Sequence, residues 1–100
     1  MQVVAKRVLV RFWGKHPQAR TPLRTWHHTA ERATWTGPAD VKAQFGSAVD
    51  FVSDNRLIFD IAGNKYRLVV HVSYSYKVVL IKFIGTHAAY DKIDPATVEI

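Results

Sequence analysis

Three runs of alternating apolar residues in the second half of the chain place the strongest constraint on the fold. They span residues 57–61, 66–72 and 77–84, with Gly63-Asn64 between the first two. Because successive side chains of a strand point to opposite faces, each run predicts a strand with one apolar face. Glycine and asparagine tolerate the backbone angles of a tight hairpin, and Ser73 to Tyr76 offers a second turn. The pattern therefore predicts a small antiparallel sheet.

The two faces of this sheet differ in character. One parity is wholly apolar apart from a phenol and is assigned to the core: Phe59, Ile61, Tyr66, Leu68, Val70, Val72, Val79, Ile81 and Phe83. The other parity mixes apolar residues, including Ile84, with polar ones: Asp60, Lys65, Arg67, His71 and Lys82. A slip of one residue in a strand would exchange the two faces from that point onward.

Helical periodicity precedes the strands. Residues 6–15 predict an amphipathic helix with a basic outer stripe, and a second helix is expected to begin at Pro17 or Pro22. A short third helix is predicted over 38–45, a first or edge strand over 1–5, and residues 47–55 show no clear pattern. Helices followed by hairpins indicate an α+β domain spanning residues 1–100, with the N-terminal helices packed on one face of the sheet.

Composition favours a polyanionic partner. Fourteen lysines and arginines against eight aspartates and glutamates give a net charge of +6, which promotes encounter with nucleic acid or an acidic protein, although charge alone also serves solubility. The cations are spread along the chain, so we expect a folded basic face rather than a basic tail.

Other classes of protein are disfavoured. The chain has no cysteine, which excludes disulfides and thiolate metal sites. His27-His28 has no acidic or cysteine partner at ligand spacing, so we expect neither a metal nor another cofactor. We also find no long apolar run and no signal-peptide pattern, so the expected location is the cytoplasm, away from membranes.

Chemistry-bearing residues gather where the chain leaves the last predicted strand. His87, Tyr90 and Lys92 follow that strand, next to the cations of the mixed face. Cleavage of RNA without a metal needs a base for the 2′-hydroxyl, cations for the developing phosphorane charge, and an acid for the leaving 5′-oxygen. Histidine, arginine, lysine and tyrosine can supply all three.

Two segments of this region resemble the HigB-type toxins of bacterial type II toxin–antitoxin systems. They are Phe-Asp-Ile-Ala-Gly-Asn-Lys-Tyr-Arg-Leu-Val-Val at 59–70 and Lys-Phe-Ile-Gly-Thr-His-Ala-Ala-Tyr-Asp-Lys-Ile at 82–93. The resemblance extends to Trp35, the 38–45 helix and Asp54-Asn55-Arg56, and so covers nearly the whole chain. It implies a RelE-like fold and an endoribonuclease that cuts mRNA, in many members on the translating ribosome, and thereby inhibits translation and growth.

The resemblance also implies partners and site residues. The partner would be a HigA-type antitoxin with a helix-turn-helix region. The toxin itself would not bind operator DNA and would reach it only through this antitoxin. By position, we expect Arg67 and Lys82 to bind the scissile phosphate, and either His87 or Tyr90 to act as base or acid. Three further residues would bind RNA or phosphate: Lys65, Lys92 and His71. The product would carry a 2′,3′-cyclic phosphate.

Less specific interpretations remain open at this point. His71 could be a half-buried structural residue, and His87 could serve only as a cap or turn at the strand exit. The whole basic face could belong to a noncatalytic module that binds RNA or the ribosome, or to a purely structural interaction protein. A binding module would tolerate changes at His87 or Tyr90, whereas an enzyme would not.

Overall fold

The computed structural model describes all 100 residues, Met1 to Ile100. Three helices lead into the sheet: α1 (Lys6–Lys15), α2 (Arg20–Arg32), which follows a 3-10 turn at Pro17–Ala19, and α3 (Pro38–Phe45). The strands are β1 (Gln2–Val4), β2 (Val49–Val52), β3 (Arg56–Ile61), β4 (Tyr66–Ser73) and β5 (Val78–Thr86). A short helix, α4 (His87–Tyr90), follows β5, and a second 3-10 turn lies at Gly46–Ala48.

The sheet confirms the predicted α+β class. Its strand order is β1-β5-β4-β3-β2, and the central strands form the two predicted hairpins. The sheet is mixed, because β1 pairs with β5 in parallel. The strand β2, which pairs with β3, lies in the stretch where no pattern was found. Its alternation is weak because it is an edge strand that leaves Asp50 and Phe51 exposed.

The core lies between the helices and one face of the sheet. In α2, Leu23, Trp26 and Ala30 are buried at the predicted helical spacing, and the Trp26 ring meets the Phe59 ring at 5.5 Å between centroids. In α1 the basic stripe of Arg7, Arg11 and Lys15 is exposed, as predicted. Side chains with this spacing can cover the sheet on one side of the helix and meet solvent on the other.

One part of the face assignment is wrong. Eight of the nine predicted core positions are buried in the core cluster, but Phe83 is not among them and Ile84 packs against that cluster instead. The cause is a β-bulge: Val69 pairs with Phe83 whereas Val70 pairs with Ile81, so Lys82 is the unpaired extra residue. A bulge inserts one residue into the alternation and exchanges the faces beyond it. Phe83 therefore joins the face opposite the helices.

That opposite face, hereafter the second face, carries Asp60, Arg67 and His71 and is partly covered by the end of the chain. Arg56 donates from Nη1 to the carbonyl oxygens of Pro95 at 3.2 Å and Val98 at 2.7 Å. These bonds hold the C-terminal segment, residues 94–100, against the start of β3. None of the helices combines the length and apolar character needed to cross a bilayer.

Candidate active site

The second face carries a cluster of polar and aromatic side chains at the start of β4, where the neighbouring strand β5 passes into α4. We call this cluster the Arg67 corner, and its members are Arg67, Phe83, His87 and Tyr90. Arg67 pairs across the sheet with Gly85, and α4 begins immediately after β5. The corner is therefore built by two strands and the helical turn that continues one of them.

Arg67 is fixed within this corner by an acidic partner. Its Nη1 lies 3.1 Å from Oδ1 of Asp60, the residue directly opposite on β3. The N–H does not point at the oxygen, so the contact is an ion pair without a well-aligned hydrogen bond. The Arg67 side chain is only 14% exposed, and its central carbon lies 5.8 Å from the centre of the Tyr90 ring. The guanidinium is thus held between a carboxylate and an aromatic face.

Tyr90 keeps its proton in this environment. Burial raises the pKa of its phenol above the ordinary value of 10.0, and although the nearby Arg67 charge acts in the opposite direction, three aspartates add to the upward shift. A phenol is already neutral at physiological pH, and the upward shift of the pKa keeps it so beside the Arg67 charge. Tyr90 can therefore donate a proton or a hydrogen bond beside the Arg67 charge.

His87 lies one helical turn before Tyr90. The hydroxyl of Thr86 accepts a hydrogen bond from the backbone N–H of Ala89 at 3.1 Å and so caps this turn. Nδ1 of His87 lies 3.3 Å from Oδ2 of Asp91, and the His87 side chain is 44% exposed. Residues three apart share a side of a helix, so His87 and Tyr90 face the same way. A contact at Nδ1 leaves Nε2 free to accept a proton.

Close packing joins β5 to α4. A Cβ atom on Gly85 would lie 2.5 Å from the Phe83 ring and 3.3 Å from Cβ of Ala89. The Phe83 ring in turn lies 6.4 Å from the Tyr90 ring, centroid to centroid. Glycine at this position lets the Phe83 ring lie over the strand beneath α4, next to Arg67 across the sheet.

Comparison with known proteins agrees with this architecture. Residues 19–93 match the HigB_toxin family, described as a RelE-like toxic component of a toxin-antitoxin system. The chain belongs to the HigB toxin family. It is 28% identical over 92 residues to the mRNA interferase toxin HigB of Escherichia coli K12, covering 91% of this chain and 88% of the relative. It is also 22% identical over 94 residues to the mRNA interferase HigB of Escherichia coli O6:H1, covering 93% and 91% of the two chains.

Within this HigB-family toxin, three of the predicted site residues come together. The Arg67 guanidinium lies over the Tyr90 ring, and His87 lies on the same side of α4 as Tyr90. Lys65 is next to it through the backbone, where its carbonyl accepts from the N–H of His87 at 3.0 Å, but its ammonium donates to Oε1 of Gln18 at 2.8 Å. The Lys65 side chain is therefore directed towards the helix layer.

The remaining predicted residues lie outside the corner. Lys82, at the bulge, donates to Oε1 of Glu99 at 2.7 Å. His71 is at the far end of β4, half-buried, with Nε2 4.0 Å from Oδ2 of Asp54. Lys92 is exposed just after α4. His71 is about 13 Å along the strand from Arg67, at roughly 3.3 Å per residue, and so does not share its surroundings.

Sequence reasoning missed the two acidic partners of these cations. Asp60 could have been found, because a hairpin that pairs Ile61 with Tyr66 must also place Asp60 opposite Arg67. Glu99 gave no such signal, since its contacts with Lys82 and Arg56 depend on the path of an irregular segment.

Proposed function

We propose that this toxin cleaves RNA at the Arg67 corner by attack of the 2′-hydroxyl on the adjacent phosphate. The observation that carries the proposal is the arrangement around Arg67: a fixed guanidinium beside a protonated phenol, with a partly exposed imidazole three residues earlier on the same side of α4. These are the charge stabiliser, acid and base that the reaction requires.

The biological activity follows from the family. As a HigB-family toxin whose relatives are named mRNA interferases, the protein is the toxic component of a toxin–antitoxin system and an endoribonuclease that acts on mRNA. Its partner is an antitoxin, and we propose one of the HigA type, with a helix-turn-helix region that carries the complex to operator DNA. We further propose that the toxin acts in the cytoplasm on mRNA bound to the ribosome. The exposed basic stripe of Arg7, Arg11 and Lys15 on α1 suits a surface of ribosomal RNA.

The proposed reaction assigns one proton transfer to each of two side chains. His87 removes the proton of the 2′-hydroxyl as the 2′-oxygen forms a bond to phosphorus. The bond from phosphorus to the 5′-oxygen breaks, and Tyr90 donates the proton that this leaving oxygen requires. The products are a 2′,3′-cyclic phosphate and a 5′-hydroxyl. Tyr90 holds its proton at the working pH, as an acid must, and the neighbouring Arg67 charge, which acts to lower the pKa of this phenol, favours release of that proton.

Arg67 is proposed to bind the nonbridging oxygens of the scissile phosphate, where negative charge develops in the transition state. Asp60 keeps the guanidinium in place before the substrate arrives. Preorganised charge of this kind stabilises a transition state because no reorientation is needed during the reaction. We propose that Lys65 and Lys92 bind the RNA backbone on either side, and that Lys82 binds a phosphate farther along β5. His71 would contribute at most at the periphery.

The experiment that tests this function uses purified toxin with a defined mRNA, both naked and on translating ribosomes, in the presence of a chelator. We expect discrete cuts whose upstream fragments end in a 2′,3′-cyclic phosphate and whose downstream fragments begin with a 5′-hydroxyl. RNA that is bound but never cut under either condition would instead support the noncatalytic binding module. Fragments with a 3′-hydroxyl and a 5′-phosphate would contradict the proposed attack by the 2′-hydroxyl.

A further inference from the structure

Arg56 and Lys82 converge on one carboxylate on the second face. Nη2 of Arg56 lies 2.5 Å from Oε2 of Glu99, and Nζ of Lys82 lies 2.7 Å from Oε1 of the same side chain. Each carboxylate oxygen therefore has its own cation. Two cations that bind separate oxygens of one anion form the arrangement by which proteins also bind two nonbridging oxygens of a phosphate.

We propose that Arg56 and Lys82 form a second anion site, which the Glu99 side chain fills in the free toxin and a backbone phosphate of the RNA fills in the complex. The inference rests on the proposed function, because it takes RNA as the ligand. It adds a phosphate subsite beyond the Arg67 corner and a competing anion supplied by the toxin itself.

The difference in exposure shows which member of the cluster can leave. The Arg56 side chain is 7% exposed and that of Lys82 is 18% exposed, whereas the Glu99 side chain is 59% exposed. The cations are thus fixed in the protein surface, and the carboxylate reaches them from solvent. A carboxylate that is already largely in water can return to it, and an incoming phosphate would restore the ion pairs with both cations, so the exchange costs little.

Only the last two residues need to move for this exchange. Nη1 of Arg56 remains bound to the carbonyl oxygens of Pro95 and Val98, which keeps the guanidinium oriented while Nη2 is released. Ile100 is 69% exposed, so its displacement uncovers little apolar surface. The two cations are therefore in place before RNA binds, and in the free toxin the Glu99 carboxylate occupies the site.

The surroundings of Glu99 also favour a polyanion. A cleft of about 370 Å³ opens between α1 and β5 beside Lys82 and Glu99, and Arg11 and Lys15 contribute two more cations to its wall. Phe83 lines the same cleft, and its ring lies 6.4 Å from that of Tyr90. The cleft thus adjoins the Arg67 corner, so that one RNA strand can occupy both.

The test measures binding of an RNA oligonucleotide with 2′-O-methyl riboses, which the toxin cannot cut, by fluorescence anisotropy. Glu99→Gln keeps the shape of the side chain and removes its charge, and Glu31→Gln on the exposed face of α2 is the matched control for net charge. We expect Glu99→Gln to bind about 3- to 10-fold more tightly than wild type and to increase the salt dependence of binding by about one phosphate contact. The control should change affinity by much less.

A second variant tests the same site without touching the C-terminal segment. Lys82→Met should weaken binding severalfold, and adding Glu99→Gln to it should restore little, because one cation alone cannot bind two oxygens of either anion separately. The proposal is overturned if Glu99→Gln and Glu31→Gln bind alike, if Glu99→Gln binds more weakly than wild type, or if Lys82→Met leaves affinity unchanged.

The outcomes separate this inference from the proposed function. If Glu99→Gln tightens binding while cleavable RNA stays intact, the anion site stands and the endoribonuclease mechanism fails. If cleavable RNA is cut but the two glutamine variants bind alike, the mechanism stands and the anion site fails.

Discussion

The guanidinium of Arg67 lies over the ring of Tyr90, with 5.8 Å between the central carbon and the ring centre. A cation over an aromatic face at this distance is attracted to the ring, by about 0.5–2 kcal/mol depending on solvent exposure. The ring alone makes this contact, so the phenolic hydroxyl is free for another role. Placement of Tyr90 and proton donation by Tyr90 can therefore be separated by experiment.

Tyr90→Phe tests proton donation. We expect the rate of RNA cleavage to fall by at least about 100-fold, the usual contribution of a general acid, while RNA affinity and thermal stability stay close to wild type. The measurement is single-turnover cleavage together with binding of uncleavable RNA. Tyr76→Phe, at a tyrosine that is 82% exposed in the turn before β5, is the control and should cleave normally. An unimpaired Tyr90→Phe enzyme would mean that Tyr90 only supports Arg67.

Asp60→Asn tests whether the carboxylate holds Arg67 in place. Arg67 and Asp60 are largely buried, so loss of the acid leaves a poorly solvated charge and should lower the free energy of unfolding by about 1–3 kcal/mol. Asp54→Asn is the control, because Asp54 is 83% exposed and its carboxylate lies 4.0 Å from the His71 imidazole; it should cost less than about 1 kcal/mol. Urea unfolding of both variants measures the difference. Equal effects would show that Asp60 does not stabilise Arg67.

Gly85→Ala and Gly14→Ala should change stability in opposite directions. The new methyl group at position 85 would lie 2.5 Å from the Phe83 ring, so we expect a loss of about 1–3 kcal/mol and a displaced α4 with reduced cleavage. Gly14 lies in α1 with nothing within 4 Å, so alanine there should stabilise the protein by up to about 1 kcal/mol. Thermal and urea unfolding report both effects. A stabilising Gly85→Ala would contradict the close packing of β5 on α4.

The loss of stability at acidic pH should depend on Glu99. Hydrogen bonds from Lys82 and then Arg56 hold the pKa of Glu99 below its ordinary value of 4.5. A carboxylate with a lowered folded-state pKa contributes stability that is present above its unfolded pKa and is lost as the pH falls through the folded pKa. Between about pH 6 and pH 3, Glu99→Gln should therefore lose less stability than wild type. If both proteins lose stability in parallel over this range in urea titrations, the contact contributes no stability in solution.

Periodicity in the sequence was enough to predict most of the fold. The bounds of α1 and α3 agree with those predicted, because each helix is bracketed by clear signals such as Pro38 and Gly46. The two hairpins were predicted from the alternation of apolar residues and from the turn residues between the strands. The sequence could not predict that Ile84 rather than Phe83 packs against the core. The bulge at Lys82 produces no recognisable signal in a run of alternating apolar residues.

The candidate site was predictable where it depends on local order. His87 and Tyr90 follow β5 directly, and Arg67 lies on the neighbouring strand of a hairpin, so their proximity is a consequence of strand pairing. The burial of Arg56 was not predictable. It depends on carbonyl oxygens from a segment about 40 residues farther along the chain that has no repeating pattern of its own.

The most direct test of the Arg67 corner is the mapping of new RNA ends in bacteria that express wild type, Arg67→Ala or Arg32→Ala. Arg32 lies exposed at the end of α2, so its loss removes the same charge away from the corner. Our account predicts growth arrest and discrete cuts in translated mRNA with wild type and Arg32→Ala, and neither with a folded Arg67→Ala protein. Cuts at the same sites and of equal intensity from Arg67→Ala would contradict it.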